Sequence, residues 1–480
     1  MMLRFHARWD PTMLTTPSRR VASILDDGGP ENASRSGLER QILREVVAMG
    51  LPSMASFLLL TVYDLVDIFW LAKLGEAPVA AVTVFSAFLW VLSFPNNVVG
   101  SGSVAIISQR FGAGDRRRTE LSIKNTFLAK IVFGLTLGGL GLVYLPTALE
   151  FLGAEPSVVR SGTDYGRIQC SVLALSLASF SVYTALRSIG RPALGMWLSA
   201  GGALVNLVLD PLLIFGIGPF PALGIQGAAV ASALGFTTVT IAGAIALASR
   251  HSPVPVRWFS EPYPDWTEML QILRIGLPAG IAALSFSLSA SIVVKLVAIY
   301  GTSVVALFGM AQKVLRFGVM IIAGLGLGTG ALVGQYLGSR RLRHAWLASV
   351  ISMFLGAGTL FVYGLLLFAF APLIVRGFFS DPALLDAGVL YLRILSIGLP
   401  FTGILLASEN AFAGAGQNTP TMIANVLTSW ALTIPLMYVL GEVAGLGPVG
   451  MMAGSACGSA IAGFVGLWLV RRGTWLENPI

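Results

Sequence analysis

The stretch LPSMASFLLLTVYDLVDIFW, residues 51–70, decides how the chain is read. A helix of about 20 residues crosses the ~30 Å hydrocarbon core of a bilayer. This run is apolar over that length, yet it carries two carboxylates, Asp64 and Asp67, and no basic residue. A charge at the centre of a membrane helix costs roughly 2.5–3.5 kcal/mol on insertion scales, so an intramembrane acid reads as functional by default.

The composition supports a membrane reading for the whole chain. Of 480 residues, 55% are hydrophobic and only 11% charged, against about 25% charged in soluble domains. Mean hydropathy is +0.80. The fold class is therefore an all-α polytopic membrane protein. The net charge of +8 is no sign of nucleic acid, because the basic residues sit at the ends of apolar runs. Cys170 and Cys457 lie far apart inside apolar runs and suggest neither a disulfide framework nor a metal site. His6, His251 and His344 all fall outside the runs, which argues against a histidine proton relay in the membrane. No His/Cys/Asp metal spacing, nucleophile motif or phosphate loop appears.

Twelve spans fit between about residues 49 and 470. Fifteen lysines and arginines mark the loops on one side, from Arg110 to Arg472, against four on the other. The basic side is expected to be cytoplasmic, with both termini there. Residues 1–36 are polar and read as a disordered cytoplasmic tail. Residues 38–48 are amphipathic and are expected to run along the interface into the first span.

The chain repeats itself. Gly50-Leu51-Pro52 recurs as Gly276-Leu277-Pro278, 226 positions on. At the same offset Gly102 meets Gly328, Gln109 meets Gln335, Tyr165 meets Tyr391 and Gly190 meets Gly416. Six spans per half is an even number, so the halves enter the membrane with the same polarity, as parallel repeats. The expected units are an amino lobe over 37–249, a cytoplasmic linker over 250–274, a carboxy lobe over 275–472 and a cytoplasmic tail over 473–480.

The acids break this symmetry. Asp67 corresponds to Val293 and Asp64 to Ala290, so the acidic chemistry belongs to the first half. Its other intramembrane acid is Asp210, in ALVNLVLDPLLIFG, with Asn206 one turn before it on the same face and Pro211 next in sequence. By helical rise, Asp67 and Asp210 each lie roughly 22 Å along outward spans, and Ser232 roughly 12 Å down the next inward span. All share one layer, and together they offer oxygen ligands for a hard cation, or carboxylates that take up a proton. Asp64 either joins that site or faces a neighbouring helix.

These residues resemble the multidrug and toxic compound extrusion (MATE) family. The resemblance is carried by Pro52 with Tyr63-Asp64-Leu65-Val66-Asp67, SQRFGAGD (108–115), LRSIG–RP (186–192), NLVLDP (206–211) and LGIQGAAVAS (223–232), and covers about residues 40–472. It implies two six-helix lobes around a cleft and export of small organic substrates driven by inward Na+ or H+, with no other cofactor. It also implies an amino-lobe cation site at Asp67, Asn206, Asp210 and Ser232, a backbone carbonyl at Ala228, and a hinge at Pro52. Asp64, in place of a small polar residue, and Ser232, in place of Thr, depart from the family pattern. Span 7 lacks an acid and Glu409 sits about two turns from the usual span-10 position, so the DinF-like branch fits better than the NorM-like one.

In the second half, Lys313 and Arg316 lie roughly 13 and 18 Å into span 8. They either pair with Glu409 or line the cleft and bind substrate, which would admit anionic or zwitterionic cargo. The expected partners are a small organic substrate and the lipid bilayer, with no nucleic acid, and the expected state is a monomer in the cell membrane. The alternatives are a flippase of lipid-linked precursors in the same superfamily and a membrane-embedded enzyme.

Overall fold

The computed structural model describes residues 35–480 except 93, 262, 263, 380, 478 and 479. The tail expected over 1–36 therefore lies almost wholly outside the described residues. Among the described residues ten helices are long and apolar enough to cross a membrane, and counting each of two further bent helix pairs as one span gives up to twelve. The first half holds α1 (Arg35–Ala72), the pair α2 (Glu76–Leu92) and α3 (Phe94–Gly112), α4 (Arg116–Phe151), the pair α5 (Pro156–Ser171) and α6 (Leu173–Ser188), α7 (Pro192–Phe215) and α8 (Ile225–Ala248). The second holds α9 (Trp266–Val297), α10 (Thr302–Gly338), α11 (Leu342–Phe378), α12 (Pro382–Ile397), α13 (Leu399–Ala415), α14 (Asn418–Val426), α15 (Ile434–Tyr438) and α16 (Gly447–Arg472). Between α14 and α16 the helix widens into π turns at Leu427–Thr433 and Val439–Val443. Pro435 lies between them and lacks the N–H that an α-helical turn would use.

The amphipathic segment does not lie along the interface as expected. It is the first third of α1, continuous with the span, and its apolar face is buried in the other half of the protein. Leu38, Ile42, Val46 and Met49 join a core made by Ala331–Leu337 of α10, Trp346 and Met353 of α11 and Phe412 of α13. Tyr336 donates a hydrogen bond to Glu45 across this contact. The spacing of these four positions, four, four and three residues, fits one face of a helix, and that face meets protein rather than lipid headgroups.

The second half returns the arrangement. Met269 and Ile272, at the start of α9, pack with Val99 and Ile106 of α3 and Ala129 of α4. Val46 and Ile272 are counterparts at the repeat offset, and both are fully buried. Each half's first helix is thus held by the other half. The repeated glycines explain how. A Cβ on Gly276 would strike the carbonyl oxygen of Val98, and one on Gly328 would strike that of Met49. Bare backbone at these two crossings is what lets the helices touch.

The linker is docked rather than loose. Val254 and Val256 are buried with Ile123 and Phe127 of α4. Lys124 Nζ donates to the Ser260 carbonyl at 3.0 Å, and Arg110 pairs with Glu268 at 2.5 Å. Past α16, Trp475 and Leu476 are buried, with Trp475 against Phe412. That part of the expected tail belongs to the second-half core.

The named contacts between the halves lie toward the basic ends of the spans. Asn418 Nδ2 of α14, for example, donates to Ser101 Oγ of α3 at 2.9 Å. Toward the opposite ends, Asp64 of α1 and Phe317 of α10, on the faces these helices turn to each other nearer the basic ends, are exposed. The halves meet on one side and part toward the other.

Candidate functional site

α1 and α7 run side by side in the first half, and α8 packs on α7. Gly235 of α8 lies against Gly202 of α7, its Cβ position 3.1 Å from the Gly202 carbonyl oxygen and 3.8 Å from Asn206 Cβ. Two glycines face to face draw α7 and α8 together at the level of Asn206. This close approach brings Ser232, less than a turn away, to the acids.

The structure brings Asp67, Asn206, Asp210 and Ser232 into one cluster. Asp67 and Asp210 are buried, and their carboxyl groups are hydrogen-bond neighbours. Asn206 Nδ2 donates to Asp210 Oδ1 at 3.1 Å and lies 3.5 Å from Ser232 Oγ. Asp67 Oδ1, Asp210 Oδ2 and Asn206 Oδ1 are buried with no protein donor. Among the described residues, neither acid pairs with a lysine or arginine. Two carboxyl groups in contact away from water and without a basic partner repel unless a proton or a cation stands between them. Three undonated oxygens are what such a guest would satisfy.

The other expected residues are placed as follows. Ala228 is fully buried on α8, one turn before Ser232. Asp64 is exposed, outside the buried cluster. Pro52 is half-buried inside α1, which runs through it as one helix, and Ser56 Oγ donates to its carbonyl at 3.0 Å. Glu409 is half-buried and accepts from Asn425 Nδ2 at 2.8 Å. Lys313 and Arg316 are exposed. The ion pair weighed between them and Glu409 does not form among the described residues, because Glu409 is engaged by the amide of α14 instead. Cys170 is buried, whereas Cys457, on a span face, is exposed.

Sequence reasoning missed two tyrosines. Tyr63 donates its hydroxyl to Ser232 Oγ at 2.5 Å. Its signal was present: it stands one turn before Asp67, on the same helix face. Tyr165 lies within electrostatic reach of Asp67, Asp64 and Asp210, and Gln169 Nε2 donates to its hydroxyl at 3.1 Å. Nothing in spacing ties α5 to α1, so only the fold could find it. A buried lysine, Lys130 of α4, was also missed; its Nζ donates to Asn96 Oδ1 at 2.8 Å.

Two bundles of membrane helices built on one repeat, with contacting acids buried in one of them, make up the architecture of a secondary transporter. The chain belongs to the MatE family, whose profile matches residues 52–212 and again 278–439. The two matches start at the repeated prolines. The chain is a transporter of this family and not an enzyme. It is similar to the "Probable multidrug resistance protein NorM" of Thermotoga maritima, 24% identical over 454 residues, covering 92% of this chain and 94% of that protein. It is likewise similar to the "FAD transporter" of Shewanella oneidensis, 25% identical over 408 residues, covering 83% and 88%. Among solved structures, the Vibrio cholerae MATE transporter VcmN in its bent form matches with a TM-score of 0.84 at 22% identity, covering 92% of this chain and 98% of that one.

Proposed function

We propose that the protein is an antiporter that exports small organic compounds in exchange for H+ or Na+ moving inward. The observation that carries this reading is the contact between Asp67 and Asp210 without a basic partner. In this reading Asp67 and Asp210, with Asn206 and Ser232, alternate between holding the coupling ion and being empty. The Ala228 carbonyl is a further ligand. Pro52, in the same helix as Asp67, is the hinge through which occupancy changes the shape of α1. Substrate passes through the gap between the halves, with Lys313, Arg316 and Glu409 as the polar residues of its second-half side. Ion and cargo favour different lobe arrangements, so each drives the other across by shifting populations. The basic side faces the cytoplasm, and the membrane is the cell membrane. Cargo among the relatives is named as drugs in one case and FAD in another, so an organic molecule is the class proposed here.

The test is efflux from vesicles containing the purified protein, with a Na+ gradient and a pH gradient imposed separately. Wild type is expected to couple to at least one gradient and Asp67→Asn to neither. Coupling retained by Asp67→Asn under either gradient refutes the assignment of Asp67.

A further inference from the structure

Asp64 on α1 and Lys313 on α10 are two exposed charges inside membrane spans, and neither has an ion pair or hydrogen bond among the described residues. Their positions are related. α1 and α10 run antiparallel and touch where Met49 and Gly50 meet Gly328, and where Ser53 and Met54 meet Gly324. Ten residues further out on each helix, Asp64 stands level with Val314, next to Lys313.

Their faces also agree. At about 100° per residue, Asp64 lies about 20° round the helix from Ser53 and about 40° from Gly50, the residues that contact α10. Lys313 lies about 20° from Gly324, which contacts α1, and Arg316 points the same way as Gly334, which abuts Ser108 of α3. All three charges therefore point across the gap at the opposite half and not into lipid. Phe317, on this same face of α10, is 48% exposed, so no protein covers the face at this height.

We propose that Asp64 and Lys313 are the two halves of an outer gate. They stay apart and hydrated in the arrangement seen here, and they join as an ion pair, seconded by Arg316, when the halves close on this side. The inference rests on the alternating exporter proposed above. The physical reason is desolvation. Closing the gap takes both charges out of water, which is strongly unfavourable for either alone and tolerable only when each meets its opposite. Opening the gap returns both to water. The pair thus makes closure depend on alignment of the two halves. It also gives Asp64 a role that the buried cluster does not.

The test is disulfide trapping in purified protein in nanodiscs, with Cys170 and Cys457 replaced by alanine. Asp64→Cys with Lys313→Cys should cross-link under mild oxidation. Val62→Cys with Lys313→Cys, on the far side of α1, should not. Ser103→Cys with Thr126→Cys, whose short side chains meet at 2.8 Å between their hydroxyl oxygens, is the positive control for folding and reactivity. A 64–313 yield no higher than the 62–313 yield, while the control links, overturns the proposal. Trapping needs no transport, so it decides the gate even where gradient-driven efflux fails. Where efflux is measured, Asp64→Asn and Lys313→Gln should each slow it about fivefold, and together still about fivefold, since the second change removes a pair already broken. Effects that multiply to about 25-fold would mean independent roles and would overturn the pair.

Discussion

Gln109 donates its side-chain amide to the carbonyl of Gly414 at 3.0 Å, and Gln335 donates to the carbonyl of Ser188 at 2.9 Å. Donor and donor are 226 residues apart, and so are acceptor and acceptor. One contact has been built twice, once in each direction, across the side where the halves meet. Each bond is worth about 1 kcal/mol net, and being distant they should add. Gln109→Ala should raise amide hydrogen exchange around residues 105–109 and 410–416 about fivefold, Gln335→Ala should do the same around residues 186–190 and 331–335, and the double variant should raise both by more than tenfold. No change in exchange would mean that the pairs do not hold this side shut.

The glycine crossings make a sharper structural prediction. At Gly276 a single methyl group meets the Val98 carbonyl, so Gly276→Ala should cost about 1–3 kcal/mol through forced displacement of α3 or α9. Gly358, in the interior of α11, has open space where its Cβ would stand. Gly358→Ala should be neutral or stabilising by up to about 1 kcal/mol. Thermal unfolding of both in the same detergent gives the comparison, and equal melting temperatures would refute it.

At the proposed ion site, the order of effects follows what each side chain gives. Asn206→Ala removes the donor to Asp210 Oδ1 and an undonated oxygen at once. A hydrogen bond donated to a carboxylate stabilises its empty, ionised form by roughly 1.5–3 kcal/mol, so with H+ as the coupling ion half-saturation should need about 10–100 times less of it, whereas with Na+ the lost oxygen ligand should raise the concentration needed. Tyr63→Phe removes only the hydroxyl that touches Ser232 and should shift half-saturation a few-fold, in line with about 0.5–1.5 kcal/mol. Efflux measured against ion concentration reads both, and a larger effect from Tyr63→Phe would reverse the assignment of roles.

Ile42 and Val46 are fully buried, so the first third of α1 is as much a core element as the spans. Ile42→Ala should lower stability by about 2–5 kcal/mol, the range for an emptied core site. Leu43, on the same helix and 40% exposed, should tolerate Leu43→Ala within about 0.5 kcal/mol. Thermal unfolding of the two single variants checks this, and an equal loss for Leu43→Ala would mean that the segment does not act through its buried face.

Much of this was legible in the sequence. Apolar runs and a bilayer's thickness give the spans, and the repeat at 226 gives the two halves. The grouping of Asp67, Asn206, Asp210 and Ser232 followed from helical rise alone, because straight spans keep a common depth. What was not legible was which face of a helix meets which neighbour. Residues 38–48 read as an interfacial segment because amphipathicity says only that one face is apolar, not what covers it. Glu409 was weighed as a partner for Lys313 by charge, whereas Asn425, an uncharged residue one span on, took it. Tyr165 reaches the acids from α5, a helix that nothing in the sequence places beside α1.

The crossing of α1 into the other half has a consequence for synthesis. Leu38–Met49 is made near the start of the chain, but its partners in α10 and α11 follow about 300 residues later, which at about 5–20 residues per second is a delay of roughly 15–60 s. Until then the apolar face has nowhere to dock but the membrane surface or a chaperone. Neither half can finish folding alone, since each must wait for a helix of the other. Separately expressed halves should therefore be unstable apart and recoverable only when made together.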